Sequence, residues 1–119
     1  RTSRVINRNV KFYDVYDAYV HCDFVTLPSD IEGFGNPVIE ACAYKKPLFV
    51  NRYPVLEDIL RHGFDFMLIN GSITDETVKK TIEILENQEL REKITHKNYD
   101  IARNNYSFEY LVEKLKLVL

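Results

Sequence analysis

Short apolar runs alternate with stretches of helical periodicity along the first part of the chain. "DFVTLPS" (Asp23 to Ser29), "PLFVN" (Pro47 to Asn51) and "FMLIN" (Phe66 to Asn70) have strand length, and "NVKFY" (Asn9 to Tyr13) reads as a further short strand. Between them, Val15 to Cys22 and Pro37 to Tyr44 read as helices, and "VLEDILRHG" is a brief helix stopped by Gly63. Strands alternating with helices predict an α/β fold with a parallel sheet covered on both faces.

From Thr74 onward the pattern is helical. Thr74 is a natural N-cap, with Asp75 and Glu76 in the first turn where the helix dipole favours anions. Val78, Ile82 and Leu85 repeat at helical spacing, as do Leu90 and Ile94. Ser107 is placed to cap a last helix whose Phe108, Leu111, Val112, Leu115 and Val118 form one apolar stripe. Lys79, Lys80, Glu83, Glu86, Glu113 and Lys114 then form solvated faces.

Composition narrows the class without changing it. In 119 residues there is room for one core, and 45% apolar with 29% charged residues is a normal globular balance. A net charge of −2 argues against nucleic acid or anionic membrane as partners, and no apolar run approaches a membrane span. The chain opens on Arg1 with no visible signal peptide, which suggests a piece of a longer protein. Cys22 and Cys42 read as small apolar residues in a reducing compartment rather than as a disulfide or redox pair. A cytoplasmic location is the expectation, with any membrane attachment left to segments outside these residues.

The chemistry concentrates between Pro28 and Pro47, "PSDIEGFGNPVIEACAYKKP". Two of the four glycines, Gly33 and Gly35, stand between Glu32 and Glu40, where a strand ends and a helix begins. In an open parallel sheet, ligands gather at this carboxyl edge. Glycine permits positive φ and close approach of a ligand to the backbone. Asn36 suits the N-cap and Pro37 the first helical position, so the free N–H groups of the first turn make an anion site matched to phosphate or diphosphate. Carboxylates accept hydrogen bonds from vicinal hydroxyls, so Glu32 and Glu40 beside phosphate donors fit ribose, diphosphate and hexose together. A purely structural reading stands beside this one, with Glu40 as a surface residue and Gly-Phe-Gly as a tight turn.

The same stretch resembles the Glu-x7-Glu motif of retaining glycosyltransferases of the GT-B fold, family 4 and its relatives. The matching residues are Pro28-Ser29, Glu32-Gly33-Phe34-Gly35-Asn36-Pro37 and Glu40-Ala41, followed by Pro47 before an apolar strand, Glu57-Asp58 and Gly63. The resemblance covers nearly the whole chain. It implies the later part of a Rossmann-like C-terminal domain that binds a nucleotide-diphosphate-sugar donor, residues 1–119 forming a single truncated domain with a helical tail. It also implies that Glu40 holds the ribose hydroxyls and Glu32 those of the transferred hexose. Glu32 is then the catalytic-site carboxylate, in a donor-positioning role. Backbone N–H groups around Phe34, Gly35, Asn36, Pro37 and Val38 are implied to meet sugar hydroxyls and diphosphate, with Gly33 giving access. The acceptor (a sugar, a glycerate-like compound, a lipid or a glycan) is left to an N-terminal domain outside these residues. A fragment of this kind is expected to be inactive alone and to self-associate through its open sheet edge or its last helix.

Departures from the family pattern qualify the transfer. Lys45 stands where the family commonly has glycine after the motif helix, so that turn must differ or be strained. Arg52, Tyr53 and Pro54 stand where a Gly-Gly pair often precedes Glu57, and the basic residues that usually clamp the diphosphate are absent. His21, His62 and His96 have no ligand spacing, and Asp14 and Asp17 do not form the Asp-x-Asp of metal-dependent transferases. No metal site and no cofactor are expected, and a metal-independent mechanism follows. The eight tyrosines are assigned to packing. A non-catalytic nucleotide-sugar-binding module and an epimerase-like protein on the same fold are the alternatives.

Overall fold

The computed structural model describes Val5–Ile6, Lys11–Phe12, residues 14–107 and Leu115. Two short strands, β1 (Val5–Ile6) and β2 (Lys11–Phe12), pair antiparallel. Of the strand expected over Asn9 to Tyr13, Lys11–Phe12 is the part that falls within the described residues. Helix α1 (Val15–His21) follows, then β3 (Val25–Leu27), α2 (Asn36–Ala43), β4 (Leu48–Asn51), α3 (Leu56–Leu60) and β5 (Met67–Ile69). The chain continues with α4 (Asp75–Glu86) and α5 (Gln88–Tyr106). The three strands β3, β4 and β5 form a parallel sheet in that order, with Val25 opposite Leu48 and Phe49 opposite Met67. This is the predicted α/β fold.

The pleat sends alternate residues of the central strand to opposite faces. Leu48 and Val50 join a core with Val38, Ala41 and Cys42 of α2, Leu56 and Ile59 of α3, and Ala102 near the end of α5. Phe49 points the other way and packs with Met67, Ile69, Ile84 and Ile94. All four residues of β4 are buried, as a parallel strand covered on both sides must be. Helix α5 is long enough, at about 1.5 Å per residue, to serve both faces. Its first half packs with Ile84 through Ile94, and its second half packs on α2 and α3.

Local chemistry sets the helix ends. Asp14 caps α1, its carboxylate accepting from the Tyr16 N–H at 3.1 Å while Asp17 accepts from the Asp14 N–H at 3.1 Å. These two aspartates therefore form a capping pair. Thr74 caps α4 as expected, in a reciprocal arrangement with Thr77. Asn87 closes α4 and opens α5, accepting from the Leu90 N–H at 3.0 Å. Arg91 donates to the Leu85 carbonyl at 2.6 Å, satisfying an acceptor in the last turn of α4.

The apolar face of α4 differs from the expected one. Val78 and Ile82 are nearly half exposed, and the buried residue is Ile84. Thr81 faces the sheet instead, its hydroxyl donating to the Thr77 carbonyl at 2.8 Å and reaching Met67 Sδ at 3.4 Å. A threonine that satisfies its own hydroxyl within the helix can occupy an apolar seam, and hydrophobic periodicity cannot register it. Ser107 ends α5 in extended backbone. Phe108, Leu111, Val112 and Val118 of the expected last stripe lie outside the described residues, while Leu115 is helical and exposed. Among the described residues, no helix is long and apolar enough to cross a membrane.

Candidate functional site

The loop between β3 and α2 leaves the carboxyl edge of the sheet and carries Glu32, Gly33, Phe34 and Gly35 into the first turn of α2. Helix α2 begins one residue earlier than the sequence suggested. Gly35, at φ 90 and ψ 63, is the N-cap, Asn36 is the first helical residue and Pro37 the second. Among the described residues no side chain caps this end. Only glycine occupies the left-handed region cheaply, so the loop's conformation and not an asparagine side chain starts the helix.

Tyr53 explains why position 35 must also be small. Its hydroxyl donates to the Phe34 carbonyl at 2.7 Å, and a Cβ at Gly35 would overlap that hydroxyl. Gly33, by contrast, lies in open space. Burial, together with the nearby Glu32 carboxylate, pushes the Tyr53 phenol above its ordinary value and keeps it a donor. Asn51, at the end of β4, donates to the Ser29 carbonyl at 3.3 Å and to Asp30 Oδ1 at 2.8 Å, and accepts from the Gly71 N–H at 2.9 Å. It therefore ties the β3–α2 and β5–α4 loops to the end of β4.

The remaining predicted residues divide between this loop and the body of α2. Val38 is fully buried, and its N–H donates to the Gly35 carbonyl at 2.9 Å. Pro37 has no N–H to offer. The N–H groups of Phe34, Gly35 and Asn36 have no hydrogen-bond partner among the described residues, so the donor set is narrower than expected. Phe34 itself lies edge-on to Tyr106 of α5, with ring centroids 5.7 Å apart.

Glu40 is half-buried, one turn into α2, and accepts from the Tyr19 hydroxyl of α1 at a long 3.5 Å. Burial first, and the Glu40 charge second, push the Tyr19 phenol up to about 12. Tyr19 also stacks with Tyr44 at 5.3 Å and Tyr16 at 6.3 Å, which matches the packing role assigned to the tyrosines. The Glu32 charge bears on Tyr53, in the segment after β4, while Glu40 meets Tyr19 of α1, so different elements neighbour the two carboxylates. Among the described residues Glu32 has no hydrogen bond or ion pair, which leaves its oxygens available as acceptors.

The turn after α2 departs from the family pattern at Lys45, the left-handed residue, at φ 54. The Lys45 N–H donates to the Cys42 carbonyl at 3.1 Å and the Lys46 N–H to the Ala41 carbonyl at 2.9 Å, a two-bond helix termination usually given to glycine. Both cysteines are free; Cys42 is buried and Cys22 half-buried. Arg52 pairs with Glu57 at 2.6 Å on the exposed surface.

A Gly-rich turn at the carboxyl edge of a parallel sheet, flanked by two carboxylates, is a feature open to several kinds of nucleotide-binding fold. Comparison with known proteins decides among them: the family described as glycosyl transferases group 1 matches residues 6–100. The chain belongs to the group 1 glycosyltransferases. Among the relatives of this glycosyltransferase chain is a mannosylglucosylglycerate synthase of Thermotoga maritima, 30% identical across 95% of the chain and 29% of the synthase. A second mannosylglucosylglycerate synthase, from Petrotoga mobilis, is 37% identical across 51% of the chain and 14% of that protein. An uncharacterised glycosyltransferase of Methanocaldococcus jannaschii is 28% identical across 82% of the chain and 27% of its own length. The chain thus spans less than a third of the curated relatives it matches. No solved structure matches it significantly.

Asn51 and Tyr53 stand outside the set of site residues expected from the sequence. Their signal was present in the "NRYPVLEDI" departure, where bulky residues replace the usual glycines. Nothing local, however, reveals that Tyr53 reaches a carbonyl 19 positions earlier.

Proposed function

We propose that residues 1–119 form the later part of the donor-binding domain of a retaining, family 4-like glycosyltransferase with a GT-B fold. The parent enzyme moves a hexose from a nucleotide-diphosphate-sugar to an acceptor. The observation that carries this reading is the β3–α2 loop at the sheet's carboxyl edge, where a glycine-started helix and backbone N–H groups without partners among the described residues stand beside Glu32, with Glu40 one turn further along α2.

In this reading Glu40 accepts from the ribose hydroxyls and Glu32 from hydroxyls of the transferred hexose. The N–H groups of Phe34, Gly35 and Asn36, at the positive end of the α2 dipole, hold diphosphate or sugar oxygens. Glu32 positions the donor, and the leaving diphosphate assists attack on the face it departs from, so configuration is retained without a metal or cofactor. The names of two relatives favour a hexosyl- or glycerate-bearing acceptor, bound by a domain outside this chain. A cytoplasmic location accords with such an acceptor.

The test is product stereochemistry in the full-length enzyme. An α-linked nucleotide-sugar donor should give an α-linked product by proton NMR, in metal-free buffer as in magnesium. An inverted product, or activity that vanishes with chelation, contradicts the reading.

A further inference from the structure

The loop carrying Glu32 is held at both ends by the segment leaving β4. We propose that Tyr53 is a positioning residue of the donor site, aiming the Gly35 N–H through its grip on the Phe34 carbonyl, while Asn51 fixes the loop's other end. This inference rests on the donor-site reading above and adds to it a mechanism of loop orientation.

The geometry runs through one peptide unit. Tyr53 is 3% exposed, and its hydroxyl donates to the Phe34 carbonyl at 2.7 Å. A trans peptide points its C=O and the following N–H in opposite directions. Pinning the Phe34 carbonyl toward Tyr53 therefore aims the Gly35 N–H away from it, and that N–H has no partner among the described residues. The hydroxyl can come this close because residue 35 lacks a Cβ. At the other end Asn51, 5% exposed, binds Ser29 and Asp30 through its amide nitrogen and the Gly71 N–H through its oxygen. Between these two anchors Ile31 is 86% exposed and Gly33 stands in open space. Glu32 thus rides on a short span whose ends are fixed. A group that must meet the reacting sugar needs such support, because misplacement by about 1 Å can cost on the order of 100-fold in rate.

Tyr53→Phe keeps the ring and removes the donated hydrogen bond. In the full-length enzyme we expect kcat/KM for the sugar donor to fall about tenfold per folded molecule, with acceptor KM unchanged. A residue that merely packs would lower the melting temperature and leave kcat/KM within twofold, and that result overturns the proposal. Glu40→Ala, titrated in parallel with UDP, GDP and ADP, separates the two claims. If it binds all three as wild type does, the donor-site reading fails and this inference with it. If it weakens binding while Tyr53→Phe retains full kcat/KM, only this inference fails. A measurement on the wild type guards against a variant that does not fold. The Gly35 amide resonance, followed with 15N-glycine labelling, should shift on saturation with whichever diphosphate binds, and an unmoved Gly35 amide overturns the proposal.

Discussion

At Lys45 an L-residue holds the left-handed conformation, at a cost of roughly 1–2 kcal/mol relative to glycine. Its ammonium lies over the Tyr99 ring, 4.7 Å from the centroid, which returns about 0.5–1 kcal/mol. Lys45→Gly should therefore stabilise the fold by up to about 1 kcal/mol, measured by urea unfolding; a loss of stability would show that the cation–ring contact outweighs the strain. Cys42 and Tyr19 predict an alkaline limit. Burial pushes the Cys42 thiol from 9.0 to about 12, and Tyr19 rises from 10.0 to about 12. Both are neutral when protonated, so their contribution is fully present below the unfolded values and is lost as pH rises from 9 toward 12. Unfolding free energy should decline above pH 9, and Cys42→Ala should flatten the first part of that decline. A profile unchanged by Cys42→Ala between pH 9 and 10 would contradict the assignment. The strain at Lys45 could be anticipated because a missing glycine is a visible departure. The hold of Tyr53 on Phe34 could not be, because no local pattern couples residues so far apart in the chain.

At the scale of elements, the alternation of short apolar runs with helices located the three parallel strands and the helices between them, since burial on both faces leaves an unmistakable apolar run. Positions within elements were harder to read. Helix α2 has Gly35 and not Asn36 at its N-cap because a left-handed backbone stands there in place of a side-chain cap. Helix α4 turns Thr81 and Ile84 inward and leaves Val78 and Ile82 half exposed, since a threonine bonded to its own helix is effectively apolar there. Helix α5 is anchored by Asn98, 1% exposed, whose side chain accepts from the Asp65 N–H at 2.8 Å and donates to the Asp65 carbonyl at 3.0 Å. Asn98→Ala strands both backbone groups and should cost about 2–4 kcal/mol. Chemical denaturation measures it, and a loss below about 1 kcal/mol would mean that water replaces the amide.

For the molecule as a whole, β3 has β4 on one side and, among the described residues, no strand on the other. Beside it Val15, Ala18, Tyr19, Phe24 and Pro37 line an apolar cavity of about 300 Å³. An open strand edge with apolar surroundings invites pairing. Residues 1–119 expressed alone should self-associate in sedimentation velocity, and Thr26→Pro on that edge should return monomers. A monomer at all concentrations would remove the edge from the account.

In the proposed donor site Glu40 and Glu32 divide the donor between them, Glu40 taking the nucleotide and Glu32 the sugar. Isothermal titration of the full-length enzyme with a nucleoside diphosphate tests it most directly. Glu40→Ala should weaken binding by about 1.5–3 kcal/mol, the range for hydrogen bonds to a charged group. Glu32→Ala should bind the diphosphate nearly as wild type does while its turnover collapses. Equal losses of diphosphate affinity in the two variants, or none in Glu40→Ala, would contradict the division and the site built on it.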